Sequence, residues 1–159
     1  MIKRLTAAVL CTAIAFAAFT GCAAKEEQTD IDLTKTADEL QSQLVFKDNL
    51  NRLDDSMMSN FYPSVDLSKV SEYAVFVSGT GSTAEEIALF ELKSSDDIQM
   101  IENAIDERLT DQKIAYQDYV PEEMVKIENA VVKTGGNYVF AVLCDDTDSA
   151  SEILSGYFK

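Results

Sequence analysis

A chain of 159 residues with 28 acidic and 13 basic side chains carries a net charge of −15. That balance opposes nucleic acid and anionic lipid headgroups, both of which are held through Lys and Arg. The absence of histidine removes Ser-His-Asp and Cys-His catalysis in their usual form, the common zinc sites and the default general base at neutral pH.

Lys3 and Arg4 precede an apolar run from Leu5 to Phe19, which leads to Phe19-Thr20-Gly21-Cys22. A positive head, an apolar middle and small residues before a cysteine describe a secretory signal closing on a lipobox. Residues 1–21 are therefore expected to be a cleaved lipoprotein signal peptide, with Cys22 the lipid-attachment site. The apolar run is about 15 residues, short of the roughly 20 that a membrane-crossing helix requires. This places the protein on the outer face of the cytoplasmic membrane, held by lipid rather than by its own surface. Cleavage discards Cys11, and lipid consumes Cys22, so Cys144 stands alone and an intramolecular disulfide is excluded. Cys144 ends an apolar strand and is expected to be a buried small hydrophobe rather than a nucleophile.

Residues 22–32 are polar and read as a lipidated tether, with a single α+β domain over 33–159. Thr36-Ala37-Asp38-Glu39 has a capping-box pattern and precedes a short helix with Ala37, Leu40 and Leu44 on one face. Leu50, Leu53, Met57 and Phe61 repeat at helical spacing, and Pro63 ends that segment near Tyr62. Tyr73 to Val77 and Glu86 to Leu92 are β-branched and aromatic, and flank the turn-forming Ser78 to Thr83. This is a hairpin, and its Gly-x-Gly leads into a strand rather than the helix that a phosphate loop requires.

Ser94-Ser95-Asp96-Asp97 caps a long helix whose stripe is Ile98, Ile101, Ile105, Leu109, Gln112, Tyr116 and Tyr119. Pro121 restarts a helix beside Glu122 and Glu123, with Met124, Ile127 and Val131 as a buried edge. Ala130 to Lys133 and Tyr138 to Cys144 flank a second tight turn, Thr134 to Asn137. Asp145 to Asp148 then caps a final helix with Ala150, Ile153, Leu154 and Tyr157; Ala150 and Ser151 stand where an EF-hand loop needs a ligand and a glycine. Strand, glycine turn, strand, acidic cap and helix thus occur twice. The expected fold is a four-stranded, mostly antiparallel sheet built from two β-hairpin-plus-helix units, with N-terminal helices before it and the helices on one face.

Four segments in order, Glu86 to Phe90, Glu107-Arg108 with Gln112, Tyr119 to Glu122 and Gly136 to Val139, follow the lipobox. With them the chain, from about Leu33 to Lys159, resembles a family of small Gram-positive bacterial lipoproteins catalogued only as a domain of unknown function. The resemblance implies no activity, cofactor, metal or catalytic residue. Its matching positions do mark a place to look. Arg108, Gln112 and Tyr116 fall on one side of the long helix, with Tyr119, Asn137 and Tyr138 near its end.

These six residues have two readings. In one they form a hydrogen-bonded corner joining helix, turn and hairpin, with Arg108 paired to an acid. In the other they form a polar pocket for a small acidic or peptide ligand, with Arg108 as the anion fork. The favoured function is a non-enzymatic binding or accessory module of the cell envelope. Its partners are the membrane, through the lipid on Cys22, and an envelope protein, peptide or small ligand; nucleic acid is not among them. The alternative is a carboxylate-based hydrolase acting on envelope glycans, which needs two converging acids about 5–10 Å apart, one of raised pKa.

Overall fold

The structure is a computed structural model that describes residues 30–158. The signal segment, Cys22 and most of the tether lie outside the described residues. The tether expectation fails at its end: Ile31 is buried and its backbone N–H donates to the Tyr138 hydroxyl, so packed structure begins ahead of Leu33.

In chain order the elements are α1 (Leu33–Gln43), β1 (Leu50–Arg52), α2 (Asp55–Phe61), β2 (Val70–Ser78), β3 (Glu86–Leu92), α3 (Ile98–Tyr116), α4 (Met124–Glu128), β4 (Val131–Gly135), β5 (Tyr138–Leu143) and α5 (Thr147–Tyr157). The sheet has five strands in the order β1-β2-β3-β5-β4, every neighbouring pair antiparallel. The expectation of four strands is thus corrected to five. The addition is β1, which pairs Leu50 with Ser78 and Arg52 with Phe76 inside the segment read as one helix. Asp54 caps α2 by accepting from the Met57 N–H, so helix begins only after the strand ends. Other caps follow the same chemistry, although α1 starts from Asp32 rather than at Thr36, and Asp146 caps α5.

A second correction concerns the layers. Helices cover both faces of the sheet. On one face α1 and α5 pack on Ile87, Leu89, Phe140 and Val142. On the other, α2 and α3 pack on Ala88, Phe90, Val139 and Ala141. A strand covered on one side alternates apolar and polar residues, whereas one covered on both sides reads as an unbroken apolar run. Tyr138 to Leu143 is such a run, buried at all six positions.

The two hairpin units are present but not equivalent. A two-fold axis normal to the sheet, exchanging the antiparallel β3 and β5, would keep α3 and α5 on one face; they occupy opposite faces. In the second hairpin the loop is two residues, Gly136 and Asn137, closing on the Gly135–Tyr138 pair. Gly136 has φ +60 and Asn137 does not share the positive sign, the pattern of a II′ turn, where glycine carries no Cβ penalty.

Candidate functional site

Two adjacent residues at the start of β3, Glu85 and Glu86, are each about 1% exposed. An unpaired buried carboxylate is strongly unfavourable, so each has recruited a cation.

Glu86 faces α3. Its Oε2 accepts from Arg108 Nε at 3.0 Å and from Gln112 Nε2 at 3.1 Å, and lies 2.9 Å from Arg108 Nη2. The Tyr62 hydroxyl donates to Oε1. Burial, then the neighbouring Glu86 charge, push the Tyr62 phenol well above its ordinary value, so it remains a donor. The Arg108 guanidinium also lies over the Phe61 ring, 4.9 Å from its centroid, which adds a cation–π contact. One turn further along α3, the Tyr116 hydroxyl meets the Gly81 and Thr83 carbonyl oxygens at 3.0 and 2.5 Å. Arg108, Gln112 and Tyr116 therefore tie α3 to the β2–β3 hairpin.

Glu85 belongs to a second cage, built around Lys126. The Lys126 ammonium, 1% exposed, lies 3.1 Å from Glu85, 2.9 Å from Glu123 and 3.7 Å from Asp145. Glu85 also accepts from the Lys47 and Asp48 backbone N–H groups and the Thr83 hydroxyl, while Glu123 accepts from the Ala84 N–H. For Glu85 burial acts to raise the pKa, but the two backbone donors, Lys126 and Thr83 outweigh it and hold the carboxyl below its ordinary value. For Lys126 burial opposes the charge, and the hydrogen bonds it donates to Glu123 and Glu85 reverse that, so its pKa is raised.

Beside these clusters runs a groove of about 600 Å³, lined by Phe61, Ser78, Glu85, Arg108, Asp111, Gln112, Tyr116 and Tyr119 among others. Tyr119 was expected to close the buried helical stripe; α3 ends at Tyr116 and Tyr119 is 88% exposed at the rim. Gln112 Oε1 is buried and has no hydrogen-bond partner. A second hollow of about 830 Å³ lies against Arg52, Asp54, Asp55 and Tyr73, which are engaged with one another or with the backbone: Asp54 caps α2, Tyr73 donates to Asp55, and Arg52 donates to the Tyr73 carbonyl.

The six sequence-derived candidates thus divide. Arg108, Gln112, Tyr116 and Tyr119 line the groove. Asn137 and Tyr138 do not: Asn137 donates to Glu91 and to the Leu92 carbonyl at the other hairpin, and Tyr138 packs on the α1–α5 face. Their expected place near the end of the long helix is corrected accordingly. Glu85, Glu86, Glu123, Lys126 and Tyr62 were not singled out from sequence. One signal was available for two of them, since Glu123 and Lys126 are i, i+3 and Glu123 sits one turn before the buried Ile127. Cys144 is fully buried, its thiol meets the Asp146 carbonyl, and burial pushes the thiol up to about 11. It is not a thiolate at neutral pH. No helix among the described residues is long and apolar enough to cross a membrane.

A family model described as Domain of unknown function (DUF4358) matches residues 42–144, well over half the chain, and the protein belongs to that family. The matched span holds the whole sheet, α2 to α4, the groove and both cages except Asp145; most of α1 and all of α5 lie outside it. No curated protein and no solved structure matches the chain.

Proposed function

We propose that the protein is a lipid-anchored, extracytoplasmic binding module of the cell envelope that holds its partner in the groove beside α3. The observation that carries this reading is how the charges around the groove are used. Arg108 is compensated by Glu86, and Glu85 by Lys126. A group locked into a buried pair positions the scaffold and is poorly placed to exchange protons. Meanwhile Tyr119 offers an exposed ring at the rim, and large exposed aromatics with polar neighbours mark interaction sites. The lipobox supports the location, and the missing histidine supports binding over catalysis.

The hydrolase alternative needs a carboxylic acid of raised pKa facing an ionised partner. Glu85 moves in the opposite direction, and Glu86 is engaged by three donors. No observation favours it over binding.

A photo-reactive phenylalanine at position 119 tests the reading in living cells. The expected result is a discrete crosslinked product that an equivalent probe at Val45, 79% exposed and outside the groove lining, does not yield. Identical products from both positions would sink the assignment of the groove.

A further inference from the structure

We propose that the groove is built for a neutral, hydroxyl-rich ligand of the saccharide class. The inference rests on the binding-module reading and adds to it the chemistry of what is bound.

The first argument is an orphan acceptor. A carboxylate can only accept, so the Gln112 amide must turn its Nε2 toward Glu86 Oε2. That orientation leaves Oε1 buried and without a donor, on a residue that lines the groove. Buried polar atoms are satisfied in the great majority of cases. A ligand hydroxyl that reaches this oxygen through the groove wall would supply the missing hydrogen.

The second argument is charge. Three charged side chains of opposing sign line the groove: Arg108, Glu85 and Asp111. Arg108 and Glu85 are compensated as described, and Asp111 has no ion pair among the described residues. An anionic ligand would therefore meet a spent guanidinium, a free carboxylate and a chain of net charge −15. Asp111 and Gln112 Oε1 both ask for donors, while Arg108 Nη1 has no hydrogen-bond partner among the described residues and asks for an acceptor. Vicinal hydroxyls, which each donate and accept, answer all three together.

The third argument is shape and surface. Tyr119 gives an exposed ring against which the C–H face of a pyranose can pack. A peptide is less suited. The strand at the groove, β2, is hydrogen-bonded to β1 on one side and β3 on the other, leaving no edge for strand addition.

The test titrates the full chain by calorimetry with maltotriose and tri-N-acetylglucosamine, and with trigalacturonate as an anionic counterpart. Saturable binding of a neutral trisaccharide is expected, with trigalacturonate at least about tenfold weaker. Tyr119→Ala should weaken binding about tenfold with an unchanged melting temperature, the scale of losing one packed aromatic. Gln112→Met should weaken it about fivefold, as for one hydrogen bond.

Four outcomes overturn the inference: tighter binding of trigalacturonate; neutral binding that both variants leave intact; no saturable binding of either neutral trisaccharide at millimolar concentration; or, in a crystal, an ordered water on Gln112 Oε1 that the saccharide never displaces. A specific crosslink from position 119 without saccharide binding removes this inference and leaves the binding-module reading standing. Silence in both experiments removes both.

Discussion

Lys126 illustrates how much one side chain can hold. Its ammonium, 1% exposed, stitches α4 to the start of β3 and to the loop after β5 through Glu123, Glu85 and Asp145. Lys126→Met would leave Glu85 and Glu123 buried without their cation, a loss of about 3–5 kcal/mol at neutral pH, measurable by urea unfolding. The pH dependence follows from the two shifts. Glu85 is lowered in the fold, so its contribution is present above the unfolded carboxylate pKa and is lost as pH falls through the lowered value. Lys126 is raised, so its contribution is present below its unfolded pKa of 10.5 and is lost as pH climbs through the raised value. The wild-type cage should therefore be stable across neutral pH and weaken at both extremes. In Lys126→Met the carboxylates want protons, so its deficit should shrink as pH drops toward 4. A deficit that stays constant with pH would refute the cage as its source.

Arg108 makes the companion prediction. Arg108→Ala takes the cation from Glu86, about 1% exposed in the wild type, with Tyr62 and Gln112 still donating. The expected destabilisation is near 3 kcal/mol, the lower end for a broken buried pair. Adding Glu86→Gln should recover part of it, because the uncompensated charge disappears. Equal stability of the single variant and wild type in chemical denaturation would show the pair to be idle.

At the scale of elements, β1 and α2 show where pattern reading stops. Leu50, Leu53, Met57 and Phe61 have helical spacing, yet Leu50 to Arg52 is strand because β2 offers it an edge. Nothing within so short a segment can announce that partner. The junction is tight. The Gly79 N–H donates to the Asn49 carbonyl oxygen at 2.8 Å, and a Cβ on Gly79 would sit 2.8 Å from that same oxygen. Gly79→Ala must therefore push backbone apart and should destabilise by about 1–3 kcal/mol, as overpacking does. Faster hydrogen exchange confined to β1 and the end of β2 would accompany it. A wild-type melting curve would disprove the close approach.

The central strands were more legible than the layer arrangement drawn from them. The uninterrupted Tyr138 to Leu143 already implies burial on both faces. Caps were legible too, since Asp and Ser side chains accept from N–H groups two or three residues on, a contact local to the sequence.

At the scale of the whole molecule, the proposed anchor and the groove are separate matters with separate tests. If Cys22 carries lipid, Cys22→Ala should abolish metabolic palmitate labelling and leave the protein unprocessed or shed. The groove cages begin well beyond that point, so the variant should keep the wild-type melting temperature. Unchanged labelling would end the lipoprotein reading while leaving the groove untouched.

Composition and local pattern by themselves determined the histidine-dependent chemistries that are excluded, the position of most helices and strands, and the hairpin turns. All of these depend on residues close together in the chain or on simple counts. Tertiary structure alone decided that helices lie on both faces, that β1 joins the sheet, and that Arg108 pairs with Glu86 and Lys126 with Glu85. Those pairs span 22 and 41 residues. Of 28 acids, Arg108 takes Glu86 while Lys126 takes Glu85 and Glu123 as its buried partners, and the choice is made by which carboxylates the fold strips of water, a property that only three-dimensional burial confers.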